Sequence, residues 1–181
     1  MKYAKNQLLK YRQSPLIIEE TLNLEEQAKS RFSETVLALS PLEVTGSINY
    51  LDNDDITLDV NVLGNITVPS SRSLAPVVVP INLAFSELYI EDESRLKDFE
   101  ETEAVFVLEN DSLNVDDAIL DNIIATLPLQ ILTPEEETGD NLPSGKDWHV
   151  ISQEAYENEK MIEDEPKIDP RLSKLDDFFK E

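Results

Sequence analysis

With 181 residues, 40% of them apolar, the chain can build one core with extensions but hardly two. Its 38 acidic residues against 15 basic ones give a formal charge of -23, a field that repels a phosphate backbone and draws basic surfaces, so DNA is not an expected partner and contact with RNA should be indirect. The absence of cysteine excludes disulfides, thiolate zinc sites and a cysteine nucleophile, and no cofactor is expected.

The first twelve residues carry Lys2, Lys5, Lys10 and Arg12 and no acid, whereas residues 13 to 133 carry 23 acids and five bases. This basic stretch reads as a solvated terminus drawn to the chain's own acidic body, in preference to an arm for RNA phosphates. It is also too polar for a signal peptide, and the longest uncharged run, Ser73 to Ser86, is interrupted by Pro76 and Pro80. No membrane span and a cytoplasmic location are therefore expected.

Leu16 to Ile18 reads as a short strand and Leu24 to Phe32 as a short helix with Asn23 as its cap. Leu42, Val44, Ile48 and Tyr50 alternate with polar residues around Gly46, and LDNDD at 51 to 55 reads as a solvated turn. Ile56, Leu58, Val60, Val62, Ile66 and Val68 hold one parity with Gly64 in the gap, which predicts one buried and one wet face. After a turn at 69 to 76, the odd positions from Val77 to Phe85 are apolar, and the apolar positions then become even at Leu88 and Ile90. That slip near Ser86 and Glu87 predicts a β-bulge. Val105 to Leu108 supplies a further strand, and residues 114 to 127 a helix with Asn114 as cap and an apolar stripe of Ile119, Leu120, Ile123, Ile124 and Leu127, stopped by Pro128.

From Thr133 onward the chain is acidic and broken by Pro134, Pro143, Pro166 and Pro170, which predicts an extended or mobile segment. Asp169-Pro170 then opens a short amphipathic helix carrying Leu172, Leu175, Phe178 and Phe179, a docking element. The expected architecture is α+β: an antiparallel sheet, barrel-like if it closes, with a few short helices in residues 1–133 and an acidic extension in 134–181.

Chemistry is sparse. His149 is the one histidine, no nucleophile elbow accompanies it, and Trp148-His149 reads as an aromatic anchor beside a surface histidine. Gly139 to Lys146 lacks the spacing and the Ser/Thr of a phosphate loop, and Asp52, Asp54 and Asp55 lack the glycine and closing glutamate of a calcium loop.

Several motifs in their present order resemble the YceD family, proteins linked to accumulation of large-subunit ribosomal RNA. They are Val44-Thr45-Gly46-Ser47-Ile48, the segment Pro69 to Leu74, the helix ending in Leu127-Pro128-Leu129, the loop Leu142 to Trp148, and the ending Asp169-Pro170-Arg171-Leu172-Ser173-Lys174-Leu175. Many relatives place a Cys-x-x-Cys pair and later cysteines where this chain has Ser70, Ser73 and Thr133, so a metal clip of that kind cannot form here.

The resemblance implies a ribosome-biogenesis factor with no catalytic or metal residue, whose partner is a basic ribosomal protein, a large-subunit precursor particle or a processing enzyme. Arg72, Trp148, Asp169 and Arg171 are the residues expected to meet it. The rival expectation is an RNA-processing enzyme that holds a divalent metal in a carboxylate cluster.

Overall fold

The computed structural model describes residues 1–100, 102–138, 144–148, 150–151, 156–157 and 160. The chain divides into two compact units, Met1–Thr133 and Pro134–Glu181. In chain order the first contains β1 (Lys2–Ala4), α1 (Lys5–Leu8), a 3-10 turn (Leu9–Tyr11), β2 (Leu16–Leu22), α2 (Glu25–Arg31), β3 (Ala38–Leu39), β4 (Leu42–Tyr50) and β5 (Ile56–Pro69). There follow β6 (Pro76–Ile90), a second 3-10 turn (Glu93–Asp98), β7 (Val105–Val107), β8 (Ser112–Asn114) and α3 (Val115–Ala125). The second unit opens with α4 (Pro134–Glu137), one helical turn in the segment that composition predicts to be extended. Pro134 suits the first helical position because its missing N–H has no partner to lose there.

The main sheet runs β2-β4-β5-β6-β7, with β3 also paired to β5. It is open and does not close into a barrel, because β2 and β7 end the order unjoined. All of its pairings are antiparallel except β6 with β7, which is parallel. The parallel step follows from the connection: β6 and β7 are joined through the second 3-10 turn, whereas a tight hairpin would have reversed the next strand.

The β5 parity holds. Ile56, Leu58, Val60, Val62, Ile66 and Val68 are all buried, while Asp59, Asn61 and Leu63 on the other face are exposed. In the gap at Gly64 an added Cβ would lie 2.6 Å from Leu42 Cδ2, so the Leu42 side chain fills the space that a larger residue would need. Buried Leu42, Val44 and Ile48 of β4 and Ile119, Leu120 and Ile123 of α3 belong to the same apolar cluster. Each such side chain contributes about 1.5–3 kcal/mol through burial, so α3 is held by its stripe more than by helix propensity.

The expected bulge is absent. The β5–β6 register runs unbroken from Ile56↔Tyr89 to Pro69↔Pro76. The odd face continues through Glu87, which is 6% exposed, and Tyr89, while Ile90 is buried beside β7. A buried acid occupies a position at which alternation alone demands an apolar residue, and its hydrogen bonds are what permit this.

One further expectation needs correction. The 51 to 55 turn is not wholly solvated: Asp55 is 2% exposed and takes a two-pronged pair from Arg95, Nη1 to Oδ1 at 2.5 Å and Nη2 to Oδ2 at 2.8 Å. The basic N-terminal stretch is drawn to the acidic body, as expected, and is built into the fold as well. Its β1 pairs antiparallel with β8, Lys5 Nζ donates to Glu91 at 2.5 Å, and Arg12 pairs with Asp54 while stacking over the Tyr50 ring.

Candidate functional site

Arg72, the first of the residues expected to meet a partner, sits in the β5–β6 connection. Ser70, 1% exposed, organises that turn: its Oγ accepts from the N–H of Arg72 at 3.1 Å and of Ser73 at 3.4 Å. The Ser71 N–H donates to the Ile131 carbonyl at 2.7 Å, and the Ile131 N–H returns a bond to Ser71 Oγ at 3.0 Å. The Ser70 hydroxyl thus orders the turn from within, and Ser71 ties it to the chain after α3. Leu74 stands at the tip with φ 61° and is 73% exposed.

Trp148 belongs to the second unit, is exposed, and accepts at its carbonyl from the Gly145 N–H at 2.7 Å. Asp169 and Arg171, the closing helix and His149 lie outside the described residues. No common site is therefore described for Arg72, Trp148, Asp169 and Arg171.

What the fold does build is a cleft of ≈ 380 Å³ between α3 and the β6–β7 end of the sheet. One face of α3 supplies it, since Asp117 and Asp121, and Ala118 and Asn122, are spaced four apart and point the same way. Strand parity supplies the opposite wall, Glu87 and Tyr89, with Phe106 from β7. The Tyr89 and Phe106 rings are 5.7 Å apart between centroids and tilted by 33°.

Glu87 is the buried polar centre of this wall. Asn122 Nδ2 donates to Glu87 Oε1 at 2.6 Å and to the Ala118 carbonyl at 2.9 Å, and the Tyr89 hydroxyl donates to Glu87 Oε2 at 2.5 Å. At the rim, Arg31 reaches from α2, with Nη1 2.9 Å from Asp117 Oδ1 and Nη2 2.8 Å from Asp121 Oδ1. Gln27 Nε2 adds a bond to Asp117 Oδ1 at 2.9 Å, and the Asn114 side chain, expected to cap α3, donates to Asp117 instead. Among the described residues no group of three His, Cys, Asp or Glu side chains is arranged to hold a metal ion.

Burial, followed by the bond to Glu87, pushes the Tyr89 phenol well above its ordinary value of 10.0. A folded-state value raised in this way gives stability that is complete below pH 10 and is lost as pH climbs above it, because the unfolded phenol ionises first. Urea melts taken from about pH 8 to about pH 11 should show stability falling above about pH 10. Tyr89→Phe should flatten that fall; an identical fall in the variant would place its origin elsewhere.

The residues of the cleft were missed by sequence reasoning, though one signal was present. Glu87 falls on the buried parity of β6, and reading it as buried, without invoking a bulge, would have pointed to a polar pocket.

Among known proteins, YlbN of Bacillus subtilis (strain 168) is similar: 28% identical over 182 residues, spanning 100% of this chain and 98% of that one. No solved structure matches the chain. The family described as large ribosomal RNA subunit accumulation protein YceD matches residues 58–179, an interval that runs from β5 through the cleft residues of β6, β7 and α3. That match covers more than half of the sequence, and the chain belongs to the YceD family.

Proposed function

We propose that this chain is a cytoplasmic ribosome-biogenesis factor that supports accumulation of large-subunit (23S) ribosomal RNA by binding protein first and reaching RNA through it. The family description supports the role in large-subunit RNA accumulation and names no reaction. The partner is a basic ribosomal protein, a precursor particle or a processing enzyme, and Arg72, Trp148, Asp169 and Arg171 are proposed to touch it. The chain then acts without a catalytic residue or cofactor.

The observation that carries the protein-first reading is how the basic N-terminal residues are used. Lys5 and Arg12 are held by Glu91 and Asp54, and Lys10 lies over the Tyr11 ring, 5.0 Å from its centroid. With those cations drawn onto the chain itself and a net charge of -23, naked RNA meets repulsion and a basic protein meets attraction.

Association with ribosomal precursors in lysate should survive nuclease treatment. It should also weaken as salt rises from about 0.1 M to about 1 M, where the screening length shrinks from about 10 Å to about 3 Å. Tight binding to protein-free ribosomal RNA, abolished when Lys2, Lys5, Lys10 and Arg12 are replaced, would overturn the reading.

A further inference from the structure

Glu87 is a buried carboxylate with no cationic partner among the described residues. Its two hydrogen bonds come from a neutral amide and a neutral phenol, and no lysine or arginine among the described residues pairs with it. Buried charge is normally matched by opposite charge, because neutral donors only partly replace the lost hydration. This one lines an open cleft, so its counter-charge can arrive from outside.

Three neighbouring features define what would arrive. Tyr89 and Phe106 present ring surface, Phe106 being 45% exposed, and aromatic faces attract ammonium and guanidinium groups. At the rim Asp117 and Asp121 already grip a guanidinium, that of Arg31, so the acids of α3 are spaced for planar cations. Finally β7 ends the sheet with β6 as its one partner, so that among the described residues no strand pairs with its outer edge beside the cleft. An added strand on that edge would turn alternate side chains toward one face.

We propose that the cleft between α3 and β6–β7 receives an arginine or lysine side chain from an extended basic segment of a partner protein laid along the edge of β7. Glu87 supplies the counter-charge and Tyr89 and Phe106 the wall, while Asp117 and Asp121 stay paired with Arg31 at the rim. A volume of ≈ 380 Å³ suits one long cationic side chain and part of a neighbour. The proposal rests on the protein-first reading above and gives that partner a docking place.

The test uses the full chain and a fluorescein-labelled dodecapeptide alternating arginine with valine, read by fluorescence anisotropy, with a glutamate–valine peptide as blank. Glu87→Gln and Phe106→Ala should each weaken binding by about tenfold. Glu43→Gln, which removes the same charge from the exposed face of β4, should weaken it by less than about twofold. Phe106→Ala leaves net charge unchanged and truncates a partly exposed ring, so it reads the site even if Glu87→Gln unfolds. Bound peptide should also slow hydrogen exchange at residues 105 to 107.

Equal losses for Glu87→Gln and Glu43→Gln, or no response to Phe106→Ala together with no protection of β7, would overturn the assignment. The two readings fail separately. Nuclease-resistant precursor association that persists in Phe106→Ala would remove the cleft and leave the ribosomal role, whereas a peptide-binding cleft in a chain that never associates with precursors would do the reverse.

Discussion

Gly46→Val should sharply weaken the sheet, because the position has no room for even the first side-chain carbon. A Cβ there would lie 2.1 Å from the Asp59 carbonyl oxygen and 2.8 Å from Val60 Cα, both backbone atoms of β5. Gly46 is paired on both sides, with Ile18 of β2 and Val60 of β5, so β4 cannot retreat from one neighbour without straining the other. Overpacking of a well-packed interior costs about 1–3 kcal/mol and sometimes more, and a clash with backbone belongs at the upper end. Gly46→Ala should share most of the loss, since the conflict is at Cβ. An unfolding free energy from urea melts within about 0.5 kcal/mol of the parent for either variant would show that β4 and β5 can separate more easily than their pairing suggests.

Ile119→Ala should be comparably damaging for the opposite reason, by leaving a hole. Ile119 is fully buried at the centre of the α3 stripe and belongs to the same cluster as Leu58 and Val62 of β5. Removing its branched side chain costs about 2–5 kcal/mol from lost burial and the residual cavity. Against a total stability of about 5–15 kcal/mol, that is a large share. Because Asp117, Asp121 and Asn122 ride on the same helix, the cleft should loosen with it, so the arginine–valine peptide should bind Ile119→Ala more weakly at temperatures where the parent is still folded. Ile124→Ala, at a half-buried position of α3, should cost clearly less, and equal losses at the two positions would contradict the packing described here.

The long β5 strand and the α3 stripe were legible because each is governed by a local period. Six apolar residues of one parity can be buried together only on one face of a strand, and Ile119, Leu120 and Ile123 align only on a helix. The family resemblance was legible for a similar reason, since short motifs such as VTGSI and LPSGKDW survive as strings of residues. Gly46 shows the limit: the string marks the glycine, but its reason, the Asp59 carbonyl pressed against it, exists only once β4 lies beside β5.

Composition and alternation by themselves determined an acidic, cysteine-free α+β chain whose sheet is largely antiparallel, because charge, cysteine content and side-chain parity are properties of residues and their near neighbours. Only the tertiary structure decided that the sheet stays open, that β7 joins it in parallel, and that Asp55 and Glu87 are buried acids. Each of these depends on groups far apart in the chain: Asp55 on Arg95, 40 residues away, and Glu87 on Asn122, 35 residues away. A carboxylate reads as solvated until the donor that makes its burial tolerable is brought to it, and only the folding of distant segments onto one another does that.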